Sequence, residues 1–206
     1  MSIIKPRIYL ASQSPRRREL LKQVGINFEM LLLRSDSRRM VDADEAPLAD
    51  ELPEEYVKRI CEGKARAGWD ALKFRNLPPF PVLAADTTVT LDGRILGKPR
   101  NREEAIAMLR QLSGRQHLVL SAVAAAFEER IEMRLNATTV TFAALSEERI
   151  HRYLLTNEGH DKAGAYGIQG QAAAFVQHIE GSYSGVMGLP LYETVELLRA
   201  FGFPTP

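Results

Sequence analysis

Cysteine is almost absent from the sequence, since Cys61 is the only one among 206 residues. A single cysteine excludes an intramolecular disulfide framework and a zinc site built from several cysteines. It also fits a reducing compartment, so we expect the protein to work in the cytoplasm.

Long hydrophobic runs and an excess of either charge are missing as well. No stretch approaches the ~18 consecutive apolar residues that a membrane-spanning helix needs, and the short apolar run from Ile8 to Ser12 is too brief for a secretion signal. The formal net charge is +1, whereas dedicated nucleic-acid binding usually shows a strongly basic balance. We therefore expect neither a membrane nor a nucleic acid as partner.

Several motifs of well-known enzyme classes are also lacking. The chain has no phosphate-binding loop ending in Gly-Lys-Ser/Thr, no GxGxxG after its first strand, no GxSxG and no HExxH. Its four histidines, at 117, 151, 160 and 178, have no metal-ligand spacing, and we interpret them as structural or exposed. Covalent serine hydrolysis and zinc proteolysis have no support.

What is present is an ordinary globular composition, with 45% hydrophobic and 26% charged residues. No repeat or long linker divides the chain, and we expect one domain over 1–206. Apolar periodicity, caps and turn residues predict strands over 7–11, 28–33, 81–85, 87–96, 117–127 and 132–142, and helices over 14–25, 53–74, 101–114, 146–155 and 190–202. This irregular alternation predicts a mixed α/β or α+β sheet rather than a regular doubly wound one.

The segment LASQSPRRREL is the first candidate for chemistry. A buried strand runs through Ser12 and Ser14 into a helix that begins with Pro15 and carries Arg16, Arg17 and Arg18. Helix N-termini bind phosphate readily, and arginines there oppose the helix dipole unless an anion lies nearby. A capped helix with a solvated basic face explains the pattern equally well.

Three charged residues form the second candidate. Asp86 ends the apolar run Val82–Ala85, and carboxyl ends of buried strands often carry functional side chains. Lys64 lies on the apolar stripe of the second helix, where an ammonium needs an anionic partner. Lys98 follows the predicted hairpin. Each has a structural alternative. Asp86 could simply cap a turn, Lys64 could reach the rim of the core, and Lys98 could be an ordinary surface lysine.

Two further segments could complete a site. Residues 161–170, DKAGAYGIQG, contain three glycines in seven residues, which would let the backbone approach a ligand or simply form turns. Residues 34–52 are polar and irregular and could form a mobile surface loop or a lid. Cations and one or two carboxylates around a glycine-lined cleft suit phosphate ester or anhydride chemistry with a Mg²⁺-type metal.

Five motifs in order along the chain give a more specific interpretation. LASQSPRRRELL, EGKARAG, AADTTVTLDGRILGKP, DKAGAYGIQG and GSYSGVMGLPLYET together resemble the Maf family of nucleotide pyrophosphatases over nearly the whole sequence. The resemblance implies an elongated two-lobed α/β fold of the inosine-triphosphatase-like type, with a mixed twisted sheet and a central cleft. It also implies a cytoplasmic homodimer and a divalent metal, Mg²⁺ or Mn²⁺.

The resemblance further implies cleavage of nucleoside triphosphates between the α and β phosphates, with Asp86 as the proton acceptor that activates water. It assigns the phosphate site to Ser12, Ser14, Arg17, Lys64 and Lys98. Arg16, Thr87 and Gln169 match positions that distinguish the branches of the family, and their combination resembles the dTTP/UTP branch. Rival functions are a pyrophosphatase acting mainly on modified nucleotides and a nucleotide-binding regulator of cell division with vestigial catalysis.

One position departs from the family pattern. Where the family usually has an Asp-Glu pair after the second strand, this chain has Asp36-Ser37. The resemblance therefore implies metal binding by Asp36 and Asp86, with one acidic group missing unless Asp42, Asp44 or Glu45 replaces it.

Overall fold

A computed structural model describes residues 6–33 and 46–205. Its strands are β1 Ile8–Leu10, β2 Phe28–Met30, β3 Val82–Leu91, β4 Arg94–Leu96, β5 Gln116–Phe127, β6 Arg130–Phe142 and β7 Val176–Glu180. Its α-helices are α1 Pro15–Gln23, α2 Pro53–Phe74, α3 Arg102–Leu112, α4 Glu147–Leu154, α5 Tyr183–Met187 and α6 Leu191–Ala200. Two short 3₁₀ turns, Ala163–Ala165 and Gln171–Phe175, lie between α4 and β7.

The strands form one mixed seven-stranded sheet in the order β2-β1-β3-β5-β6-β7, and β4 pairs with β3 beside this path. β1 is parallel to both β2 and β3, whereas β3, β4, β5, β6 and β7 pair in antiparallel fashion. The mixed α/β sheet predicted from the sequence is therefore confirmed. β7 and α5 were not predicted.

Side-chain alternation along β3 divides the first half of the strand between two apolar clusters. Val82 and Ala84 pack under α2, while Leu83 and Ala85 join the cluster beneath α1 and α6. Helix α2 comes close to the sheet at Gly68, where a Cβ would lie 2.7 Å from Val82 Cγ1. The apolar stripe predicted for α2 is buried as expected, at Val57, Ile60, Cys61, Ala65 and Gly68.

The second half of β3 belongs to a third cluster. Val89 and Leu91 pack with α3, α4 and the segment around Tyr166. Asp86 and Thr87 lie between the two halves and are only partly buried. The first two clusters, on the first half of β3, form one core region, and the third cluster forms the other. The two lobes expected from the family resemblance correspond to these two core regions, which share β3.

Helix caps explain where several helices begin. The Asn101 carboxamide accepts from Glu104 N at 2.8 Å, and the Ser146 hydroxyl accepts from Arg149 N at 3.2 Å. Ser14 precedes α1 as predicted, but its side chain makes no capping hydrogen bond. Pro15 at the first helical position fixes the backbone there instead, which frees the Ser14 hydroxyl from a structural role.

Candidate active site

A cleft of about 1080 Å³ opens where β3 passes from one core region to the other. Side chains from both regions line it, including Ala11 and Tyr56 on one side and Val89 and Tyr166 on the other. The lining contains most of the residues expected to form the substrate site, namely Ser12, Ser14, Arg16, Arg17, Lys64, Asp86, Thr87 and Lys98. Gln169 is exposed and lies outside this lining.

Asp86 and Lys64 form an ion pair in the cleft. Lys64 Nζ lies 2.7 Å from Asp86 Oδ1, and the two side chains are 19% and 14% exposed. Helix α2 places the ammonium there because Lys64 follows Val57, Ile60 and Cys61 along the stripe that faces β3. Within the described residues, Asp86 is thus an anionic partner of the kind that the sequence demanded for Lys64.

The junction of β1 and α1 supplies hydroxyls and a guanidinium. Ser12 Oγ accepts from Ser14 N and from Arg17 Nη1, both at 3.2 Å. Arg17 Nε donates to Gly188 O at 2.8 Å, which ties α1 to the turn after α5. Gly188 has φ 115°, a left-handed conformation that disfavours any side chain. The turn that orients Arg17 therefore depends on this glycine.

Lys98 reaches the cleft from the opposite side. It follows β4, and the preceding Gly97 accepts a backbone hydrogen bond from Gly164 N at 3.1 Å. This contact joins the β3–β4 ribbon to the glycine-rich segment 161–170. The Lys98 side chain is exposed within the cleft.

Arg16 lies against the same glycine-rich segment. A Cβ on Gly167 would lie 2.8 Å from Arg16 Nη2 and 3.1 Å from Lys162 Cδ, so the missing side chain makes room for both cations. Lys162 forms an ion pair with Asp161, and both line the cleft. The residue-by-residue prediction did not include this pair, although the DKAGAYGIQG motif pointed to it.

Tyr166 forms part of the cleft wall, and buried side chains behind it fix its position. Its hydroxyl lies 2.9 Å from His117 Nε2, and its ring packs edge-on against Phe142 at 4.8 Å between centroids. Burial raises the pKa of Tyr166 and lowers the pKa of His117 to about 4, so both groups are neutral at pH 7. His117 is structural, and the other three histidines are exposed, as the sequence indicated.

Of the two metal ligands expected from the resemblance, Asp86 lies within the described residues. Asp36 lies outside the described residues, as do Ser37, Asp42, Asp44, Glu45 and most of the proposed lid. Over residues 6–33 and 46–205, no group of three or more His, Cys, Asp or Glu residues could hold an ion. Among the helices of the same ranges, none is long and apolar enough to cross a bilayer.

Comparisons with known proteins agree on one family. The family model described as "Maf-like protein" matches residues 7–201. A dTTP/UTP pyrophosphatase from Nitrosomonas europaea is 55% identical over 95% of this chain and 94% of its own length. Another, from Aromatoleum aromaticum, is 51% identical over 99% of this chain and 100% of its own.

One solved structure aligns with nearly the whole chain. The Ham1 protein of Staphylococcus aureus aligns with 95% of this chain and 97% of its own, at 15% identity and a TM-score of 0.47.

Proposed function

The chain belongs to the Maf family, and on that premise we propose that it is a nucleoside triphosphate pyrophosphatase acting on dTTP and UTP. The reaction adds water at the α phosphorus and releases the nucleoside monophosphate and pyrophosphate. The substrates follow from relatives that are named dTTP/UTP pyrophosphatase. These relatives are 51–55% identical to this chain over nearly its full length.

The Asp86–Lys64 pair inside a cleft lined by further cations is the observation that carries this proposal. Arg16, Arg17 and Lys98 border the same space, which gives it the charge that a triphosphate needs. A carboxylate in such a site repels phosphate oxygens unless it acts on a proton or helps to hold a cation. Its pairing with Lys64 reduces that repulsion.

In the proposed mechanism, Asp86 accepts the proton of the water that attacks the α phosphorus. Lys64, Lys98 and Arg17 hold phosphate oxygens by charge-assisted hydrogen bonds and stabilise the charge that leaves with pyrophosphate. Ser12 and Ser14 can donate neutral hydrogen bonds to the same chain of phosphates. Arg16 and Thr87, with Gln169 at the outer end of the glycine-rich segment, are proposed to distinguish the base.

The donor set fits a divalent metal carried by the substrate rather than one caged by protein. Mg²⁺ typically binds one or two carboxylates together with substrate phosphates and water. Asp86 provides one carboxylate, whose Oδ2 makes no hydrogen bond within the described chain, and Asp36 is the second proposed ligand. When bound, such a metal would neutralise phosphate charge.

Two finer properties rest on the family resemblance. We propose that the enzyme is a homodimer, which light scattering coupled to gel filtration would test. We also propose that it works in the cytoplasm, where a reduced Cys61 is expected. Burial raises the pKa of Cys61 to about 12, so this thiol is unreactive and has no part in the mechanism.

Phosphorus NMR of the products tests the proposed activity directly. With dTTP and Mg²⁺ or Mn²⁺, we expect resonances of dTMP and pyrophosphate to grow together. Orthophosphate as the first product would show attack at the γ phosphorus and contradict the proposal. CTP and ATP in parallel reactions would show whether uracil and thymine nucleotides are preferred.

A further inference from the structure

Ser121 is a fully buried hydroxyl in the middle of β5, directly opposite Thr87 in the β3–β5 register. Its Oγ lies 2.9 Å from Thr87 Oγ1 and 2.7 Å from the carbonyl oxygen of Gly185 in α5. It is outside the cleft lining, whereas Thr87 is part of it. Nothing in its local sequence, LSAVAAA, indicates a functional role.

Counting hydrogens fixes the direction of this chain of hydrogen bonds. A serine hydroxyl has one hydrogen, and a carbonyl oxygen can only accept. Ser121 must therefore donate to Gly185 O. It has no hydrogen left for Thr87, so Thr87 must donate to Ser121.

The consequence falls on the side of Thr87 that borders the cleft. With its only hydrogen directed at Ser121, the Thr87 hydroxyl presents lone pairs alone to a ligand. Ionised phosphate oxygens also carry lone pairs alone and would be repelled there. A group that donates an N–H or O–H hydrogen would be bound.

The surrounding turn holds this arrangement in place. Gly185 O also accepts from Gly188 N at 2.9 Å, and Gly188 O accepts from Arg17 Nε. A Cβ on Gly188 would lie 3.8 Å from Thr87 Oγ1 and 3.7 Å from Arg17 Nε. The guanidinium, a donor, and the Thr87 hydroxyl, an acceptor, therefore border one small space with opposite hydrogen-bonding character.

We propose that Ser121 is a positioning residue that fixes Thr87 as a hydrogen-bond acceptor for a donor of the bound complex. This inference rests on the proposed function and adds to it. The donor is either the N3–H of uracil or thymine, or the O–H of a water at the phosphates. We call the chain of hydrogen bonds from Thr87 through Ser121 to Gly185 O the relay. Cytosine has a lone pair at N3, so a donor on the base would make the relay a selectivity device. A donor water would make it an aid to catalysis.

A double-mutant cycle between Ser121→Ala and Thr87→Val tests the relay. In the wild-type background, Ser121→Ala frees the Thr87 hydrogen to rotate towards the cleft and should lower kcat/KM for UTP by about tenfold, the effect of roughly one hydrogen bond. In the Thr87→Val background the same change should have less than ~2-fold effect, because the hydroxyl it orients is gone. Equal losses in both backgrounds, or no loss in the wild type, would overturn the proposal.

Comparing UTP with CTP distinguishes the two donors. If the base donates, Ser121→Ala should lower the UTP/CTP ratio of kcat/KM, because a freed hydroxyl can donate to N3 of cytosine. If a water donates, kcat should fall by the same factor for both nucleotides while KM changes little. Either pattern supports the relay.

Thr194→Ala is the matched control. Thr194 is also fully buried and donates to a backbone carbonyl, that of Pro190, at 2.7 Å, but it lies outside the cleft lining. Its loss measures what one buried hydroxyl contributes to folding alone. Thermal unfolding of every variant accompanies the kinetics.

Two provisions keep the test decisive. If Ser121→Ala does not fold, Thr87→Val should lose more activity than Thr87→Ser, which keeps the hydroxyl, and equal losses would overturn the proposal. If the wild-type protein releases no pyrophosphate, the proposed function fails by itself. In that case the double-mutant cycle is measured by calorimetric binding of UTP and CTP. Additive effects of Ser121→Ala and Thr87→Val on the binding free energy would still refute the relay.

Discussion

The ammonium of Lys64 and the carboxylate of Asp86 lie 2.7 Å apart although 22 residues separate them in the chain. Packing of α2 on β3 creates this contact at the point where β3 leaves one core region and enters the other. The pair holds the carboxylate in one orientation and balances its charge in a confined space. Both properties suit a group that must accept a proton beside phosphates.

Replacing the carboxylate should remove most of the activity without unfolding the protein. Asp86→Asn keeps an oxygen that can accept from Lys64 but removes the basic group, so kcat should fall by about 10²- to 10⁴-fold. Steady-state kinetics and thermal unfolding measure the two effects. Asp92→Asn, in the exposed β3–β4 turn, is the matched control. An unchanged kcat in Asp86→Asn would remove this residue from the mechanism.

The lysines of the cleft should bind the phosphate chain more than the nucleoside. Lys64→Met keeps the apolar stem but removes the ammonium, and we expect triphosphate binding to weaken roughly 10- to 100-fold, as for hydrogen bonds to charged groups. Lys98→Met should act in the same direction. Binding of UTP and UMP by calorimetry checks this, with Lys58→Met, a lysine of α2 that pairs with Glu55 outside the cleft lining, as control. Equal losses for both nucleotides would place the lysines away from the phosphates.

A methyl group on Gly167 should disturb selectivity through Arg16. Gly167→Ala places a Cβ 2.8 Å from Arg16 Nη2, so the guanidinium must move, while the Asp86–Lys64 pair is untouched. We expect the preference for UTP over CTP to change by more than kcat for UTP does. In an Arg16→Ala background the substitution should have little further effect. A full effect in that background would show that Gly167 acts by another route.

His117 should make folding stability depend on pH in a defined window. Burial lowers its pKa from 6.5 to about 4, so between these values the unfolded chain binds the proton and the folded chain does not. The contribution of neutral His117 to the free energy of unfolding is fully present above pH 6.5. It falls by about 3 kcal/mol as the pH drops to 4. Carboxylates whose pKa values are lowered by ion pairs, such as Glu132 and Glu147, lose their contribution only at pH below about 4.5.

Urea unfolding at pH 7.0, 6.0 and 5.0 measures this slope. His117→Gln keeps a polar partner for Tyr166 but cannot titrate, so its stability should be lower at pH 7 and flatter across the window. A slope equal to that of the wild type would assign the acid sensitivity to other groups.

The sequence predicted the parts of the fold that local chemistry specifies. Helices with good caps, such as the one after Asn101, and most strands were found with errors of a few residues. The break predicted at Asp86 is wrong, because β3 continues from Val82 to Leu91 through its pairing with β5. β7 was missed because Val176–Glu180 is a short, largely exposed edge strand, and only its pairing with β6 defines it. The capping hydrogen bond expected from Ser14 is absent for a local reason, since Pro15 already fixes the start of α1.

Some residues of the candidate site could be predicted from the sequence, whereas others are defined only by the fold. An ammonium on an apolar stripe and an aspartate after a buried run are visible in the sequence, and they proved to be each other's partner. Ser121 carried no signal, because a serine within an alanine-rich strand gains its meaning only from the register that places it opposite Thr87. Gln169, identified through the family resemblance, lies outside the described cleft wall and remains a prediction.

The passage of β3 through both core regions links activity to the integrity of the whole molecule. Its register with β5 is unbroken from Val82 to Thr90, and Asp86 lies in the middle of that ladder. Loosening of either lobe would disturb the same strand, so partial unfolding cannot spare the carboxylate of Asp86. Heat inactivation should therefore coincide with global unfolding, and residual turnover can serve as a gauge of how much of the population is folded.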